Sequence, residues 1–305
     1  MKCNFVCPCS AILCFFLSIP ALTQNSVTGG NRTVPGNIEG HDANVKVVDE
    51  KFKAAGDMMR TQPPSYDQAI AILLEATQMA PDQDAVWYRL GVAYLRSANA
   101  QADAAEKMKR STEAYNDLER AIGLLAHRKS QDRQEGSKSP CNVEGVCAHV
   151  ETVKGAISDN YKLAVYYSNL GDAAARIGKN DEAIEDCQQA ARLDPANAGT
   201  YYFNEGIILR NAANTVDERK EAVDVFDKTI AADPTKAAAY YLKGEVQFGL
   251  ATTNNEGKFI PPPGTIEALQ KYLELQPNGP YAQQAKSFLT VLNVKVESTG
   301  ASKNK

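Results

Sequence analysis

One segment in the second half of the chain carries six residues at spacings typical of two packed helices. In order they are Tyr167, Leu170, Gly171, Ala183, Ala190 and Pro195. Twelve residues separate Gly171 from Ala183, and twelve more separate Ala183 from Pro195. Antiparallel helices approach closely only where side chains are short, and proline ends a helix because its nitrogen has no hydrogen to donate. The segment therefore predicts two helices that touch at Gly171 and Ala183, joined by a turn at 178–180.

Four other segments repeat parts of this pattern. Their matching residues are Gly56, Tyr66, Ala69, Ala76 and Pro81 in the first unit, Trp87, Leu90, Gly91 and Tyr94 in the second, Tyr201 or Tyr202, Gly206, Ala222, Phe226 and Pro234 in the fourth, and Tyr240, Gly244, Ala268, Tyr272 and Pro277 in the fifth. The second helix of the second unit is displaced, and we place it at about 103–126. From Ala43 onward apolar residues recur every three or four positions and hairpin signals are scarce. The sequence therefore predicts an all-α fold.

These residues resemble the tetratricopeptide repeat, a pair of helices with a period of about 34 residues. The resemblance implies an α-α superhelix, a right-handed solenoid of helix-turn-helix units that grows along one axis. It also implies a concave groove lined by the inner faces of the first helices. The predicted layout is a signal peptide (1–23), a flexible leader (24–43), units one and two (44–126, the second irregular), an inserted loop (127–157), units three to five (158–278), a capping helix (279–293) and a disordered tail (294–305).

Three connections depart from the regular repeat. Residues 211–217 lengthen the turn of the fourth unit. Residues 252–265 stretch the turn of the fifth unit, and their three consecutive prolines predict irregular backbone. Residues 127–157 are rich in Ser, Gly, Gln and charge, which predicts a surface loop.

The N-terminus has the three-part layout of a secretory signal peptide. Lys2 gives a short basic start, residues 11–19 are apolar, and residues 20–25 are small or polar. The apolar stretch is short for a membrane span. We expect cleavage between Ala21 and Asn25, with an uncleaved N-terminal anchor as the alternative. The mature protein is then exported to the periplasm, the cell envelope or the medium, with no membrane insertion after cleavage.

Three cysteines remain after removal of the signal peptide. Cys141 and Cys147 are close enough in sequence to form a disulfide in an oxidising compartment. The alternatives are two unpaired thiols, or a metal site that also uses His149 and His127, although this spacing is unusual for zinc. Cys187 takes the place of a bulky residue in its second helix, which predicts a buried and inert thiol.

Four aromatic residues are candidates for contact with a partner. Tyr88, Tyr202 and Tyr241 each follow the first aromatic position of their helix, and the resemblance places them, with Phe248, on the groove. Tyrosine gives a broad contact area at low entropic cost, which suits a binding surface. The alternative is that these rings face solvent or pack between repeats. The lysine and asparagine clamp by which some family members bind a C-terminal carboxylate is not reproduced.

The sequence predicts a binding protein rather than an enzyme. It contains none of the common hydrolase, metalloprotease or nucleotide-binding motifs, and it implies no cofactor. The net charge of -4 disfavours nucleic acid as a partner. We expect an exported scaffold that binds a protein or peptide in its groove. The alternatives are an accessory subunit of an envelope assembly or of a secreted enzyme, and, less favoured, a metal-dependent enzyme built on the 127–157 loop.

Overall fold

The computed structural model describes residues 43–136 and 159–294. The chain divides into a unit of residues Met1–Asn37 and a unit of residues Ile38–Lys305, and every described residue lies in the second unit. The α-helices of the described residues are α1 (Ala43–Met58), α2 (Tyr66–Met79), α3 (Asp84–Ala100), α4 (Ala104–Gly136), α5 (Asp159–Arg176), α6 (Asn180–Leu193), α7 (Ala198–Ala212), α8 (Val216–Ala232), α9 (Ala237–Phe248), α10 (Thr265–Leu275) and α11 (Ala282–Val291). A short 3-10 turn, Pro195–Asn197, precedes α7.

The helices form five consecutive pairs followed by one further helix. The first helix of each pair (α1, α3, α5, α7 and α9) is called an A helix below, and the second (α2, α4, α6, α8 and α10) a B helix. Each A helix packs on its B helix, and each B helix packs on the next A helix. The helix α11 packs on both α9 and α10. The predicted all-α array of helix-turn-helix units is confirmed.

A glycine marks the point of closest approach within four of the pairs. A Cβ atom added to Gly91 would lie 2.7 Å from Leu118 Cγ, and one added to Gly171 would lie 2.9 Å from the carbonyl oxygen of Ala183. Cβ atoms at Gly206 and Gly244 would meet side chains of their own B helices at 2.7 and 2.8 Å. The predicted contact between Gly171 and Ala183 is confirmed, and the lack of a side chain is what allows each pair to pack closely.

A proline follows four of the five B helices at the same distance. The helices α2, α6, α8 and α10 each end two residues before a proline: Pro81, Pro195, Pro234 and Pro277. At each of these ends the backbone N–H of the capping residue still donates to the carbonyl four residues earlier. The next turn cannot form because proline lacks the donor, so these prolines separate successive pairs as predicted.

The structure differs from the expected connections in two places. The predicted loop at 127–157 begins too early, because α4 continues without a break to Gly136. The predicted irregular turn of the fifth unit contains a small antiparallel hairpin, in which β1 (Thr252–Thr253) pairs with β2 (Phe259–Ile260). The side chain of Asn254 accepts hydrogen bonds from the backbone N–H groups of Glu256 and Lys258, which closes the turn between the strands.

The buried residues include the one cysteine that the structure describes. Cys187 in α6 is fully buried, and burial raises the pKa of its thiol. This agrees with the predicted inert core thiol. Cys141 and Cys147 lie outside the described residues, as do the predicted signal peptide, leader and most of the predicted tail. None of the described helices is both long enough and apolar enough to cross a bilayer.

Candidate functional site: the A-helix face

The four A-helix glycines give a common register for comparing the repeats. The residues four positions before Gly91, Gly171, Gly206 and Gly244 are Trp87, Tyr167, Tyr202 and Tyr240. The residues three positions before these glycines are Tyr88, Ser168, Phe203 and Tyr241. Tyr202 therefore does not correspond to Tyr88 and Tyr241, as the sequence interpretation assumed. Phe203 takes that position in α7.

Tyr88 packs between two successive A helices. Its ring stacks on the ring of Tyr166 in α5, with centroids 4.1 Å apart and planes 13° from parallel. The side-chain amide of Asn169 donates to the Tyr88 hydroxyl at 3.4 Å. Burial raises the pKa of Tyr88 to about 12. The ring is half-buried, and its main contact is with the neighbouring repeat.

Tyr241 lies at the same register position in α9 and is only 4% exposed. Its ring stacks on Tyr281, with centroids 4.2 Å apart, because α11 packs on α9 where a further A helix would stand. An open groove position for Tyr241 was expected, and the structure instead buries this ring beneath the last helix. Phe248, one helical turn beyond Gly244, stacks on Phe288 of α11 at 4.4 Å and is half-buried.

Tyr202, the fourth aromatic residue predicted to contact a partner, packs between helices of the array. It is partly buried against two clusters of buried residues, one containing Tyr201 and the other containing Val225. Phe203 is 9% exposed and lies 6.3 Å from the ring of Phe226, its contact in α8. The structure therefore places Tyr88 and Tyr202 in separate contacts between helices, whereas Tyr241 and Phe248 both stack on Phe288 of α11. It does not bring them together on one open surface.

Two asparagines that the sequence interpretation gave no role lie side by side on the A helices. Asn169 and Asn204 stand two positions before Gly171 and Gly206, so they share one register position. Asn169 donates to Tyr88 of the preceding A helix, and Asn204 donates to the Ser168 hydroxyl oxygen at 3.2 Å. Both residues are half-buried. The sequence contains one signal for this pair: in two consecutive repeats an asparagine stands two positions before the glycine of the A helix.

Ion pairs and hydrogen bonds extend this surface along the A helices. Arg176 forms an ion pair with Asp172 at 2.9 Å and also donates to Asn99 of α3. Arg210 of α7 forms an ion pair with Glu245 of α9 at 2.7 Å. Polar side chains thus connect α3, α5, α7 and α9 in order. We call this surface, formed by Tyr88, Ser168, Asn169, Asp172, Arg176, Asn204, Arg210 and Glu245, the A-helix face.

A cleft lies between the B helices α4 and α6. This cleft of about 340 Å³ is lined by Tyr115, Glu119, Glu182 and Asp186, among others. Lys179 donates to the Tyr115 hydroxyl at 3.1 Å and to Glu182 at 3.0 Å. Burial and nearby carboxylates raise the pKa of Asp186 to about 7. Within the described ranges no group of three or more His, Cys, Asp and Glu side chains could hold a metal ion, here or elsewhere.

Two segments of the chain match models of known repeats. Residues 65–119 match one tetratricopeptide repeat model, and residues 164–197 match another. The first segment holds α2, α3 and the first half of α4, and the second holds most of α5 and all of α6. These are the segments in which the Leu-Gly pairs at 90–91 and 170–171 were found from the sequence.

Known proteins resemble parts of the chain. The small glutamine-rich tetratricopeptide repeat-containing protein 2 of Mycosarcoma maydis is 35% identical over 71 residues, which make up 23% of this chain and 20% of that protein. The chain thus matches about a fifth of the length of this relative. Among solved structures, YrrB, described as a TPR protein with an unusual peptide-binding site, is 17% identical with a TM-score of 0.48, over 81% of this chain and 98% of YrrB. MamA is 18% identical with a TM-score of 0.48, over 78% of this chain and 95% of MamA.

The repeat matches and the helix pairs lead to the same assignment. The matched segments contain the glycines that bring A and B helices together, and Pro195 stands near the end of the second segment. Helix pairs with the same glycine register extend on through α9 and α10. Residues 65–119 and 164–197 therefore match tetratricopeptide repeats, and they lie within an all-α array of helix pairs.

Proposed function

We propose that this chain is an exported scaffold that binds a protein or peptide segment on its A-helix face. The observation that carries the proposal is the pair of asparagines, Asn169 and Asn204, presented at one register position on neighbouring A helices. A carboxamide can donate and accept hydrogen bonds at once, which suits the alternating N–H and C=O groups of a peptide backbone. Such a surface recognises a chain segment without any need for catalysis.

The existing contacts of these asparagines are suited to exchange with a partner. Their hydrogen bonds to Tyr88 and Ser168 are 3.4 and 3.2 Å long, at the far end of the usual range. Asn169 also donates to the backbone carbonyl of Val165 in its own helix at 2.8 Å, which keeps the amide oriented. A bound segment can replace these long bonds with shorter ones at little cost. The ion pairs of Arg176 and Arg210 hold the neighbouring side chains in place, so the surface is ordered before a partner arrives.

The aromatic residues then act as supports rather than as exposed anchors. Tyr88 contacts the Asn169 amide through its hydroxyl and holds α3 against α5 through its ring. Tyr241 fixes the last A helix against α11. In this proposal, replacing either tyrosine weakens partner binding mainly by disturbing the arrangement of the A helices.

Affinity capture of the full chain from extracts of its own cells, followed by quantitative mass spectrometry, tests the proposal. The double variant Asn169→Ala with Asn204→Ala should bind the partner about thirtyfold more weakly and lose most of the captured amount, since each lost hydrogen bond is worth about 1 kcal/mol. Asn116→Ala is the matched control, because Asn116 is an exposed asparagine on the B helix α4. Equal capture by both variants would show that the A-helix face is not the binding surface.

The export part of the proposal rests on the N-terminal sequence. The apolar stretch at 11–19, with Lys2 before it and small or polar residues after it, is the pattern that a signal peptidase reads. Mass spectrometry of the protein isolated from its source should find a mature N-terminus between residues 22 and 25. A mature chain that still begins at Met1 in a cytosolic fraction would contradict export without affecting the binding proposal.

A further inference from the structure

The cleft between α4 and α6 is lined by residues of three helices. They include Tyr115, Glu119 and Gly123 of α4, Tyr167 of α5, and Glu185 and Asp186 of α6. The α4 residues are spaced by four, so they lie on one face of the helix and span about 12 Å along its axis. The cleft is therefore elongated, and it combines aromatic rings with carboxylates along its length.

Most of the negative charge in the cleft is not neutralised. Four carboxylates line it, and among them only Glu182 forms an ion pair with a described residue. Oδ2 of Asp186 is shielded from solvent and has no hydrogen-bond partner in the described part of the chain. Burial and the nearby carboxylates raise the pKa of Asp186 to about 7. A cation that enters the cleft would stabilise the ionised form of this side chain.

The aromatic rings give the cleft apolar walls beside these charges. Tyr115 is only 7% exposed, and Tyr167 is half-buried. Burial raises the pKa of Tyr167, and the negative charges of Asp186 and Glu185 act in the same direction, so the tyrosine hydroxyl lies near both carboxylates. A ring beside a carboxylate suits a cation on an aliphatic stem, because the stem packs on the ring while the charge meets the acid.

One lysine of the chain already makes this kind of contact at one end of the cleft. Nζ of Lys179 lies 4.2 Å from the centroid of the Tyr115 ring and donates to Glu182 at 3.0 Å. One ammonium group thus meets an aromatic ring and a carboxylate together. Asp186, one helical turn beyond Glu182 on α6, has no ion pair with a described residue. At the far end a Cβ atom on Gly123 would meet nothing within 4 Å, so there is open space beside it.

We propose that this cleft binds an alkylammonium group, carried either by a lysine side chain of a partner protein or by a free polyamine. The carboxylates are spread along the cleft, and among the described residues no three of them could hold one metal ion, which favours an extended organic cation. The site lies on the B helices, so it does not depend on the A-helix face or on the proposed function.

The test measures binding of two probes to the full chain. Spermidine is titrated by calorimetry, and a short fluorescein-labelled peptide of alternating lysine and alanine is followed by fluorescence anisotropy. Binding of the peptide alone identifies a lysine side chain as the source of the ammonium, and binding of spermidine alone identifies a free polyamine. The same peptide with every lysine acetylated keeps the aliphatic stems without the charge, and it should bind at least about tenfold more weakly.

Two kinds of variant connect the effect to the cleft. Glu185→Gln with Asp186→Asn should weaken binding of the probe about tenfold. The matched control is Glu221→Gln with Asp224→Asn, which removes two exposed charges from the B helix α8 and should change binding less than about twofold. Gly123→Leu leaves every charge in place but fills the far end of the cleft, and it should also weaken binding about tenfold. Circular dichroism verifies that each variant is folded.

Lys179 allows a test with the opposite sign. Lys179→Gln removes the ammonium that competes for Tyr115 and Glu182, so the probe should bind about threefold more tightly. Lys220→Gln is the control, because Lys220 forms a similar ion pair with an acidic residue three positions away, on α8. It should leave binding within about twofold of the parent chain.

Several outcomes would overturn the inference. One is that neither probe binds, and another is that the acetylated peptide binds as well as the charged one. Equal weakening by the α6 and α8 double variants would show that the overall charge, not the cleft, attracts the probe. Unchanged binding by folded Gly123→Leu would exclude the cleft as the site. Capture of a partner through Asn169 and Asn204 is measured on other helices, so the proposed function succeeds or fails separately.

Discussion

The ring of Tyr281 lies 4.2 Å from the ring of Tyr241, with the two planes 3° from parallel. Tyr281 precedes α11, and its backbone N–H donates to the hydroxyl of Tyr272 in α10 at 2.8 Å. One residue thus connects the final helix to both helices of the last pair. A helical array exposes apolar surface at its ends unless a further helix covers it. The contacts of Tyr281 with Tyr241 and Tyr272 hold α11 over the apolar surface of the last helix pair.

Replacing Tyr281 should loosen this end of the array. Tyr281→Ala removes a half-buried ring and its stacking contact, which should lower the free energy of unfolding by about 2–3 kcal/mol. Tyr281→Phe is the control, because it keeps the ring on Tyr241 and the backbone hydrogen bond to Tyr272, and it should change stability by less than about 1 kcal/mol. Urea unfolding followed by circular dichroism measures both. A similar loss in the two variants would mean that stacking is not the main contribution.

Two glycines within helices, Gly206 and Gly123, should respond to alanine in opposite ways. Gly206→Ala places a Cβ atom 2.7 Å from the ring of Phe226, which is fully buried and has no room to move, so stability should fall by about 1–3 kcal/mol. Gly123→Ala, in the middle of α4, meets nothing within 4 Å and should raise stability by up to about 1 kcal/mol, because alanine favours helix. Thermal unfolding should show opposite signs. A stabilising Gly206→Ala would refute the close approach of α7 and α8.

The close approach of paired helices could be predicted from the sequence because it depends on residues near each other in the chain. The twelve-residue spacing of Gly171, Ala183 and Pro195 fixes a helix, a turn, a helix and an end. Each of these is a local property of backbone and side-chain size. The predicted contact between Gly171 and Ala183 therefore appears in the structure as expected.

The secondary structure predicted from the sequence was wrong in two segments, where the polarity of the residues did not indicate the local fold. The polarity of residues 127–136 predicts a loop, but Arg, Lys and Gln are good helix formers and nothing interrupts α4 before Gly136. The short hairpin before Pro261 has strands of only two residues each. Such strands are too short to show an alternating pattern, and only the turn residues Asn254 and Gly257 gave a signal.

The exposure of the candidate aromatic residues could not be predicted in the same way. Three aromatic residues in a row, at 201–203, made the register of α7 ambiguous, and only alignment on Gly206 shows that Phe203 matches Tyr88. Tyr241 is buried by α11, some forty residues later in the chain. Burial by a helix that is distant in sequence depends on tertiary packing. Neither the periodicity nor the residue types of α9 can predict it.

Asp117 in α4 should make the stability of the chain depend on pH. Its side chain is buried, and one carboxyl oxygen has no hydrogen-bond partner among the described residues. Burial, with a further contribution from Glu113, raises its pKa from the ordinary 3.8 to about 7. Between these values the folded state binds the proton more tightly than the unfolded state, so stability falls as pH rises from about 4 to about 7.

The variant Asp117→Asn removes this titration. It should be more stable than the parent chain at pH 8 by about 1–3 kcal/mol, and the difference should shrink toward pH 4. Asp186 has a similarly raised pKa, so some dependence on pH should remain in the variant. Asp217→Asn, at a side chain that is 90% exposed, serves as the control. Urea midpoints that differ from the parent equally at pH 5 and pH 8 would contradict the assignment.

Asp84 of α3 joins three helices. Its buried carboxylate accepts a hydrogen bond from the Tyr166 hydroxyl of α5 at 2.9 Å and forms an ion pair with Arg128 of α4 at 2.5 Å. Asp84→Ala leaves the buried hydroxyl without an acceptor and should cost about 3–4 kcal/mol, whereas Tyr166→Phe should cost about 1–2 kcal/mol. Burial and the negative charge of Asp84 also raise the pKa of Tyr166, as expected for a tyrosine that stays protonated and donates to a carboxylate.

A double-mutant cycle separates this bond from the rest of the packing. Once Asp84 is alanine, the change Tyr166→Phe removes a hydroxyl that has already lost its acceptor, so the double variant should be at least about 1 kcal/mol more stable than the sum of the single effects predicts. Arg128→Gln should cost less than Asp84→Ala, because the Arg128 side chain is 41% exposed and water can replace its ion pair. Strict additivity of Asp84→Ala and Tyr166→Phe would mean that the hydrogen bond between them does not hold α3 to α5.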